Sequence, residues 1–170
     1  MADVVLVVFA STAAWWDATT YRIPNKVSVT GFAAALVLRA PLGVESLLQG
    51  VGGFGVALLV GLVLYALRAI GGGDVKLLAA IGAFMGSPHI LGALGLIAVL
   101  GAVYAVLSIS ARGLLPLLAL NTLDLVKAWL SLGQGGARRK LETSTALTIP
   151  YGIPIAMGAL LWWFGKGVRL

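Results

Sequence analysis

The chain has 170 residues, of which 60% are hydrophobic and 11% are charged, and its mean hydropathy is +1.03. A soluble domain carries roughly 25% charged residues because its surface faces water, so this composition excludes an ordinary soluble domain and indicates a membrane protein. The net charge of +6 comes from scattered cations, which argues against a nucleic-acid partner. The absence of Cys and the single His exclude thiolate and histidine metal clusters, and also cysteine or Ser-His-Asp catalysis.

Six apolar stretches predict an all-α bundle of about six transmembrane helices in the lipid bilayer. In chain order they are 4–16, 27–38, 47–67, 77–86, 90–109 and 147–164. A perpendicular crossing needs about 20 residues. The first, second and fourth stretches are shorter, so they must use flanking polar residues or lie inside the bundle. We treat residues 1–170 as a single membrane-embedded domain.

The cations predict how these helices are oriented. Alternating crossings place nine Lys and Arg residues on one side and three on the other. Cytoplasmic loops carry an excess of Lys and Arg, so both termini are predicted outside and the loops 17–26, 68–76 and 110–146 inside. The long loop, roughly 110–146, has a polar and an apolar helical face and is predicted to carry a short amphipathic helix.

Several residues are expected to have a role in helix packing or at the membrane interface and none in a functional site. Arg39 falls in an outer loop, and Asp3 lies at the exposed N-terminus. Gly82-x-x-x-Gly86 has the spacing of small residues that lets two membrane helices approach closely. Indoles at helix ends sit at headgroup level, and four tryptophans have such positions: Trp15, Trp16, Trp162 and Trp163.

Two of the six carboxylates adjoin apolar stretches on the predicted cytoplasmic side. Asp17 begins a polar loop in which Pro24 prevents a continuous helix. Asp74 follows Gly71-Gly72-Gly73, and such glycines favour a tight turn or the close approach of another backbone. An ionisable group at the membrane boundary is costly and indicates a function, but a helix-capping role explains each aspartate about as well.

Two neighbouring aspartates can act as an acid–base pair. Adjacent carboxylates do not both ionise easily, so one keeps its proton. The ionised member takes a proton from water while the protonated member polarises the scissile carbonyl. Such a pair hydrolyses peptide bonds without a metal or a cofactor, and we expect neither. A small protein that moves protons or cations through these aspartates remains open, as does a structural subunit without activity, although transporter sites usually lie at the midplane.

Three polar residues near the aspartates are candidate contacts to the substrate or the site. Lys76 stabilises a carboxylate, meets an acidic substrate group, or simply anchors the helix at the interface, and Arg22 has the same alternatives. Asn25 supports the Asp17 loop or, as we prefer, caps the second span.

Backbone and a distant tyrosine complete the predicted site. Gly71 and Gly73 are its supporting backbone, and Gly73 has either a positive φ or a close neighbour. Tyr151 lies between Pro150 and Pro154, which are expected to kink or open the sixth span. Its hydroxyl reaches the site, or its ring is an interfacial anchor.

Three motifs resemble signatures of the type IV prepilin peptidase family, the GxGD aspartic proteases of the inner membrane. They are Asp17-x5-Ile23-Pro24-Asn25, Gly71-Gly72-Gly73-Asp74-Val75-Lys76-Leu77 and Pro150-Tyr151-Gly152-Ile153-Pro154. The resemblance covers essentially the whole chain at the level of span count. It implies a multi-pass aspartic endopeptidase with Asp17 and Asp74 as the catalytic pair. Its substrate would be the positively charged leader of prepilins or pseudopilins, cleaved at the cytoplasmic membrane face.

Larger members of that family carry an N-terminal domain with cysteine pairs and also methylate the new N-terminus. Asp17 lies near the start of this chain and Cys is absent, so the resemblance is to the short, peptidase-only branch associated with Flp-type pili and tight adherence. No methyltransferase domain or activity is expected. The archaeal preflagellin peptidases share the Gly-x-Gly-Asp motif and remain an alternative.

Overall fold

The computed structural model describes residues 1–67, 69–113 and 150–168. These residues form six α-helices and one 3₁₀ turn, with no β-strand among them, so the predicted all-α class is confirmed. The elements are α1 (Ala2–Thr20), α2 (Asn25–Arg39), the 3₁₀ turn (Ala40–Leu42), α3 (Val44–Ala66), α4 (Gly72–Met85), α5 (Ser87–Ala111) and α6 (Gly152–Gly165). The amphipathic helix predicted within the loop 110–146 falls outside the described residues.

The chain divides into two compact units. The first is Met1–Ala102 with Pro150–Leu170, and the second is Val103–Ile149. Helices α1 to α4, most of α5 and α6 belong to the first unit. The described part of the second unit, residues 103–113, is the end of α5 and the turn that follows it. Both candidate aspartates lie in the first unit.

Two helices, α3 and α5, are long and apolar enough to cross a membrane. They have 23 and 25 residues, only 22% of the most apolar 18-residue window of each is buried, and they present exposed aliphatic side chains such as Leu59 and Leu91. The other four helices have between 14 and 19 residues. Helix α4, with 14 residues, rises only about 21 Å, against about 30 Å of hydrocarbon. Crossing by all six helices therefore stays a prediction.

Helix α4 is the buried helix of the first unit. Eleven of its 14 residues are buried, against four of the 23 in α3. Its most extensive contact is with α3, and it also packs against α2, α6 and α1. Leu77, Ile81 and Phe84 are fully buried in the core, where van der Waals packing between helices holds α4 in place. Surrounding helices thus determine where the first turn of α4 lies.

The contact between α3 and α4 is one of backbone against backbone. A Cβ atom on Gly53 would collide with the Gly82 carbonyl oxygen and with the backbone of Gly86, and one on Gly82 would collide with the Gly53 carbonyl oxygen. The close approach predicted from the Gly82-x-x-x-Gly86 spacing is therefore confirmed. Gly86 itself has φ +72 and ends α4, a conformation that glycine adopts at little cost.

Arg39 binds the C-terminal end of α4. Its Nε donates to the Ala83 carbonyl (2.8 Å) and its Nη2 to the Phe84 carbonyl (2.9 Å), while Nη1 donates to Ser46. The last carbonyls of a helix lack intrahelical partners and carry partial negative charge, so a cation is favourable there. The side chain is 3% exposed. Arg39 is therefore a buried residue at the end of α2 and not a loop residue, while the side of the membrane on which it lies stays a prediction.

Hydrogen bonds at both ends hold α1 and α6 side by side and antiparallel. Near the start of α1, Asp3 Oδ1 accepts from Trp163 Nε1 (2.6 Å), and near its end Asp17 Oδ2 accepts from the Gly152 N–H (2.6 Å). Trp163 is 1% exposed, so its interpretation as an interfacial anchor is wrong. The sequence placed Asp3 at an exposed N-terminus, but its carboxylate accepts the hydrogen bond of the buried indole N–H. Without Asp3, that N–H would be buried without an acceptor.

We expect Gly53→Ala to destabilise the protein, because the new methyl group meets backbone that cannot move aside. Overpacking of this kind costs about 1–3 kcal/mol, and a lower thermal unfolding midpoint in detergent would measure it. Gly55→Ala is the matched control on the same helix, since nothing lies within 4 Å of a Cβ there. That variant should be neutral or stabilising because Ala favours helix over Gly by about 1 kcal/mol. Equal midpoints would contradict the backbone contact.

Candidate functional site

Asp17 lies in the last turn of α1, not at the start of the polar loop in which the sequence placed it. The helix continues to Thr20, and the Thr19 and Thr20 hydroxyls donate to the carbonyls of the preceding turn. Tyr21 then ends the helix in the left-handed conformation (φ 53, ψ 26), and its N–H donates to the Asp17 carbonyl (2.9 Å). Such a conformation is uncommon for a residue other than Gly, and it turns the chain sharply beside Asp17.

Asp74 is the third residue of α4 and caps its own helix. Its Oδ2 accepts from the N–H of Gly71, the residue before the helix, at 3.0 Å. A carboxylate in the first turn is stabilised by the free N–H groups and by the positive end of the helix dipole. The capping interpretation of Asp74 is therefore confirmed, and it leaves Oδ1 available for other partners.

Gly73 allows the loop after α1 to approach the start of α4. A Cβ atom on Gly73 would lie 3.3 Å from the Ile23 backbone nitrogen and 3.4 Å from the Ile23 Cβ. Its φ is not positive, so the first of the two predicted reasons for this glycine is wrong and the second, a close neighbour, is right. The loop and the first turn of α4 thus form one wall of the site.

Asp17 and Asp74 line the same cavity, of about 290 Å³, where α1 ends and α4 begins. The cavity has room for several water molecules, each of which occupies about 30 Å³ in the liquid. Two predicted contacts, Arg22 and Lys76, also line it. The remaining lining residues are Tyr21, Ile23, Gly71, Gly72 and Gly73.

Burial raises the pKa of both carboxyl groups, which lie outside the apolar stretches. Desolvation and, to a smaller extent, the charge of Asp17 raise the pKa of Asp74 to about 6, against the opposing effect of the Gly71 N–H. Desolvation also raises the pKa of Asp17, and the hydrogen bond from Gly152 counteracts it. Because burial and the Asp17 charge both act on Asp74, this carboxyl group keeps its proton to a higher pH than an isolated one would.

The sequence did not single out Gly152, which meets Asp17 at the start of α6. A Cβ atom on Gly152 would lie 2.8 Å from the Asp17 Cβ and 2.9 Å from its Oδ2. Glycine is therefore the residue that lets α6 present its first N–H to this carboxylate. The available signal was a glycine between two prolines at a helix start, in the motif from Pro150 to Pro154.

The family model described as the type IV leader peptidase family matches residues 4–106, which is more than half of the chain and includes both aspartates. The chain belongs to the type IV leader peptidase family. The resemblance drawn from the three motifs is thereby confirmed. Members of this family are membrane-associated peptidases that process prepilin-like proteins. No curated protein and no solved structure matches the chain at a significant level.

Lys76 and Asn25 bond to each other in this leader peptidase family protein. The Lys76 Nζ donates to Asn25 Oδ1 (2.7 Å). Pro24 precedes the first turn of α2, and no side-chain cap is present there, so the capping interpretation of Asn25 is wrong. Both residues also line an adjacent, mostly apolar cavity of about 340 Å³, together with Val29 and Phe32. Lys76 thus lines both the acidic cavity and the apolar one, whereas Asn25 lines the apolar one but not the acidic one.

Tyr151 lies next to Gly152 but does not line the acidic cavity. Its ring contacts Gly101 and lines a separate apolar cavity with Val60 and Ile155. Pro154 is the third residue of α6. In the first turn a backbone N–H has no intrahelical acceptor, so proline is tolerated there and does not kink the helix. In the described residues no group of three His, Asp or Glu side chains could hold a metal ion.

We expect Asp74→Asn to stabilise this leader peptidase family protein at pH 8. The folded state keeps the Asp74 proton up to about pH 6, whereas the unfolded chain releases it near pH 4. The free energy of unfolding of the wild type therefore decreases as the pH rises from 4 to 6, by up to about 3 kcal/mol. The Asn variant has no such proton to lose and keeps this stability. Thermal midpoints at pH 8 and pH 4 measure the difference.

The control is Glu45→Gln, because Glu45 is exposed at the start of α3. It should leave the midpoint nearly unchanged at both pH values. A lower midpoint for Asp74→Asn at pH 8 would show that the ionised carboxylate stabilises the fold and does not strain it.

Proposed function

We propose that this protein is an aspartic endopeptidase of the cytoplasmic membrane, which removes the positively charged leader from prepilin-like proteins, with Asp17 and Asp74 as its catalytic pair. The observation that carries the proposal is the shared cavity. Two buried carboxyl groups from distant parts of the chain line it together, and the charge of one raises the pKa of the other. Perturbed, coupled carboxyl groups in a cavity are typical of acid–base sites.

The surroundings of the pair favour a peptide substrate over a bare ion. The apolar cavity behind Lys76 gives room for an apolar side chain of a bound chain, and an ion pathway has no use for such a space. Water and the scissile carbonyl would lie between the two carboxyl groups. One carboxyl group then accepts the proton of water, and the other donates to the carbonyl oxygen.

The cytoplasmic location of the site is supported by the cations. Arg22 and Lys76 line the acidic cavity itself, and Lys26 lies in the first turn of α2. Together with the nine-to-three distribution of Lys and Arg along the sequence, this follows the positive-inside rule. The opposite end of α4, bound by Arg39, would face the other side of the membrane.

We expect Asp17→Asn and Asp74→Asn each to abolish cleavage. Asn retains the shape of Asp but cannot exchange a proton, and one acid–base function alone is worth about 10²–10⁴-fold in rate. The assay incubates the purified protein with a Flp-type prepilin, and separately with a preflagellin. It measures the ratio of mature to precursor protein on a gel and identifies the new N-terminus by mass spectrometry.

Glu45→Gln is the control for the loss of a carboxylate as such and should cleave at the wild-type rate. Near-normal cleavage by Asp17→Asn at equal abundance would remove Asp17 from the reaction. Wild-type protein that cleaves neither precursor, but lets protons into vesicles through Asp17 and Asp74, would favour the translocating alternative.

The pH dependence gives an independent prediction. The reaction needs one proton on the pair, and Asp74 loses its proton with a pKa of about 6 in the free protein. We therefore expect kcat/KM, which reports on the free enzyme, to fall about tenfold per pH unit above that value. A flat profile between pH 5 and 8 would contradict a role for protonated Asp74.

A further inference from the structure

Asp17 is the carboxylate that receives a hydrogen bond from another helix. Its Oδ2 lies 2.6 Å from the Gly152 nitrogen, at the first residue of α6, where backbone N–H groups have no intrahelical acceptor. Short N–H···O distances are typical of bonds to ionised carboxylates, and the N-terminus of a helix favours negative charge. The contact therefore favours the ionised form of Asp17.

Asp74 also accepts one backbone N–H at the N-terminus of a helix, but that helix is its own. That bond, from Gly71, is longer at 3.0 Å. Desolvation dominates the effects on its pKa, and the charge of Asp17 raises the pKa further. The other groups of the cavity that carry or can acquire a charge are Arg22, Lys76 and Tyr21. Of the two carboxyl groups, Asp74 is thus the one whose protonated form is favoured.

We propose that Gly152 is a positioning residue that holds Asp17 as the ionised general base of the pair, and that Asp74 is the member that carries the proton. The assignment rests on the function proposed above and goes beyond it, since the pair alone does not say which aspartate has which role. Gly152 acts through Asp17 and needs no contact with the substrate. It lies outside the residues 4–106 that the family model matches.

The assignment fixes where each proton goes. Asp17 takes a proton from water as the water oxygen bonds to the scissile carbonyl carbon, and Asp74 gives its proton to the carbonyl oxygen. The resulting gem-diol then collapses: its C–N bond breaks, the leaving nitrogen takes the proton from Asp17, and one diol hydroxyl returns a proton to Asp74. One water is consumed, and both aspartates regain their starting states.

The first test compares Gly152→Ala with Gly158→Ala. Gly152 has no positive φ, so Ala is allowed by the backbone and its methyl group disturbs Asp17. Gly158 is the matched control on α6: a Cβ there would lie 2.6 Å from Ile97 Cγ1 and 2.9 Å from its Cα. A methyl group on Gly158 would disturb packing as strongly, but Gly158 lies almost two helical turns beyond Gly152, the residue that contacts Asp17.

We expect kcat of Gly152→Ala to fall by about 10²-fold, in the range of one acid–base function, while KM changes little. The acidic limb of its kcat profile should move to higher pH, because Asp17 loses a donor that favours ionisation. Gly158→Ala should keep the wild-type profile per folded molecule. An unchanged acidic limb in Gly152→Ala, or the same shift in Gly158→Ala, would overturn the positioning role.

The second test needs neither substrate nor a folded Gly152 variant. Infrared titration of protein labelled with ¹³C-aspartate follows the carbonyl stretch of a protonated carboxyl group. In wild type, a band should titrate near pH 6. It should vanish in Asp74→Asn, and it should persist in Asp17→Asn at a lower pH, because the charge that raised the pKa is gone. A band that is lost in Asp17→Asn and kept in Asp74→Asn, or no such band at all, would overturn the assignment.

These experiments distinguish a failure of the proposed peptidase function from a failure of the roles assigned to the two aspartates. Wild-type protein that shows the expected band but cleaves no leader refutes the proposed peptidase function while the proton remains on Asp74. Cleavage that depends on both aspartates, with the band on Asp17, supports the function and refutes the assignment of roles.

Discussion

The burial of α4 by its neighbours is the constraint on which the rest of the first unit depends. Near the C-terminal end of the helix, Gly82 meets the backbone of Gly53 without side chains between them, and Arg39 binds the carbonyls of Ala83 and Phe84. At its start Gly73 contacts Ile23. A helix that is held near both ends cannot slide or rotate freely, so packing and not polar contacts in the cavity fixes the position of its first turn.

The candidate site is made where three helix termini meet. Helix α1 contributes Asp17 from its last turn, α4 contributes Asp74 from its first, and α6 contributes the N–H of Gly152. In a chain with 11% charged residues, few side chains are available for a polar network. Helix ends carry free N–H and C=O groups in any sequence. The protein thus assembles much of its polar site from backbone.

The sequence predicts the six helices, and it also selects the two aspartates that line one cavity. Both predictions depend on strong local signals: long apolar stretches, Pro24 and the three glycines before Asp74. It fails where a partner is distant in the chain. Arg39, Trp163 and Asn25 each have the position of an ordinary terminal or capping residue. Each instead binds a group from another helix. Gly152 was missed for the same reason, since its small size matters only because Asp17 lies against it.

The short length of α4 makes the site sensitive to the thickness of the bilayer. A rise of about 21 Å is smaller than the hydrocarbon layer of about 30 Å, so in the proposed orientation at least one end of α4 lies below the headgroups. Neighbouring helices and not lipid surround α4, so water must reach that end through the acidic cavity. Lipids with longer acyl chains would place Asp74 deeper and further from water. Membrane composition would then regulate hydrolysis without any ligand.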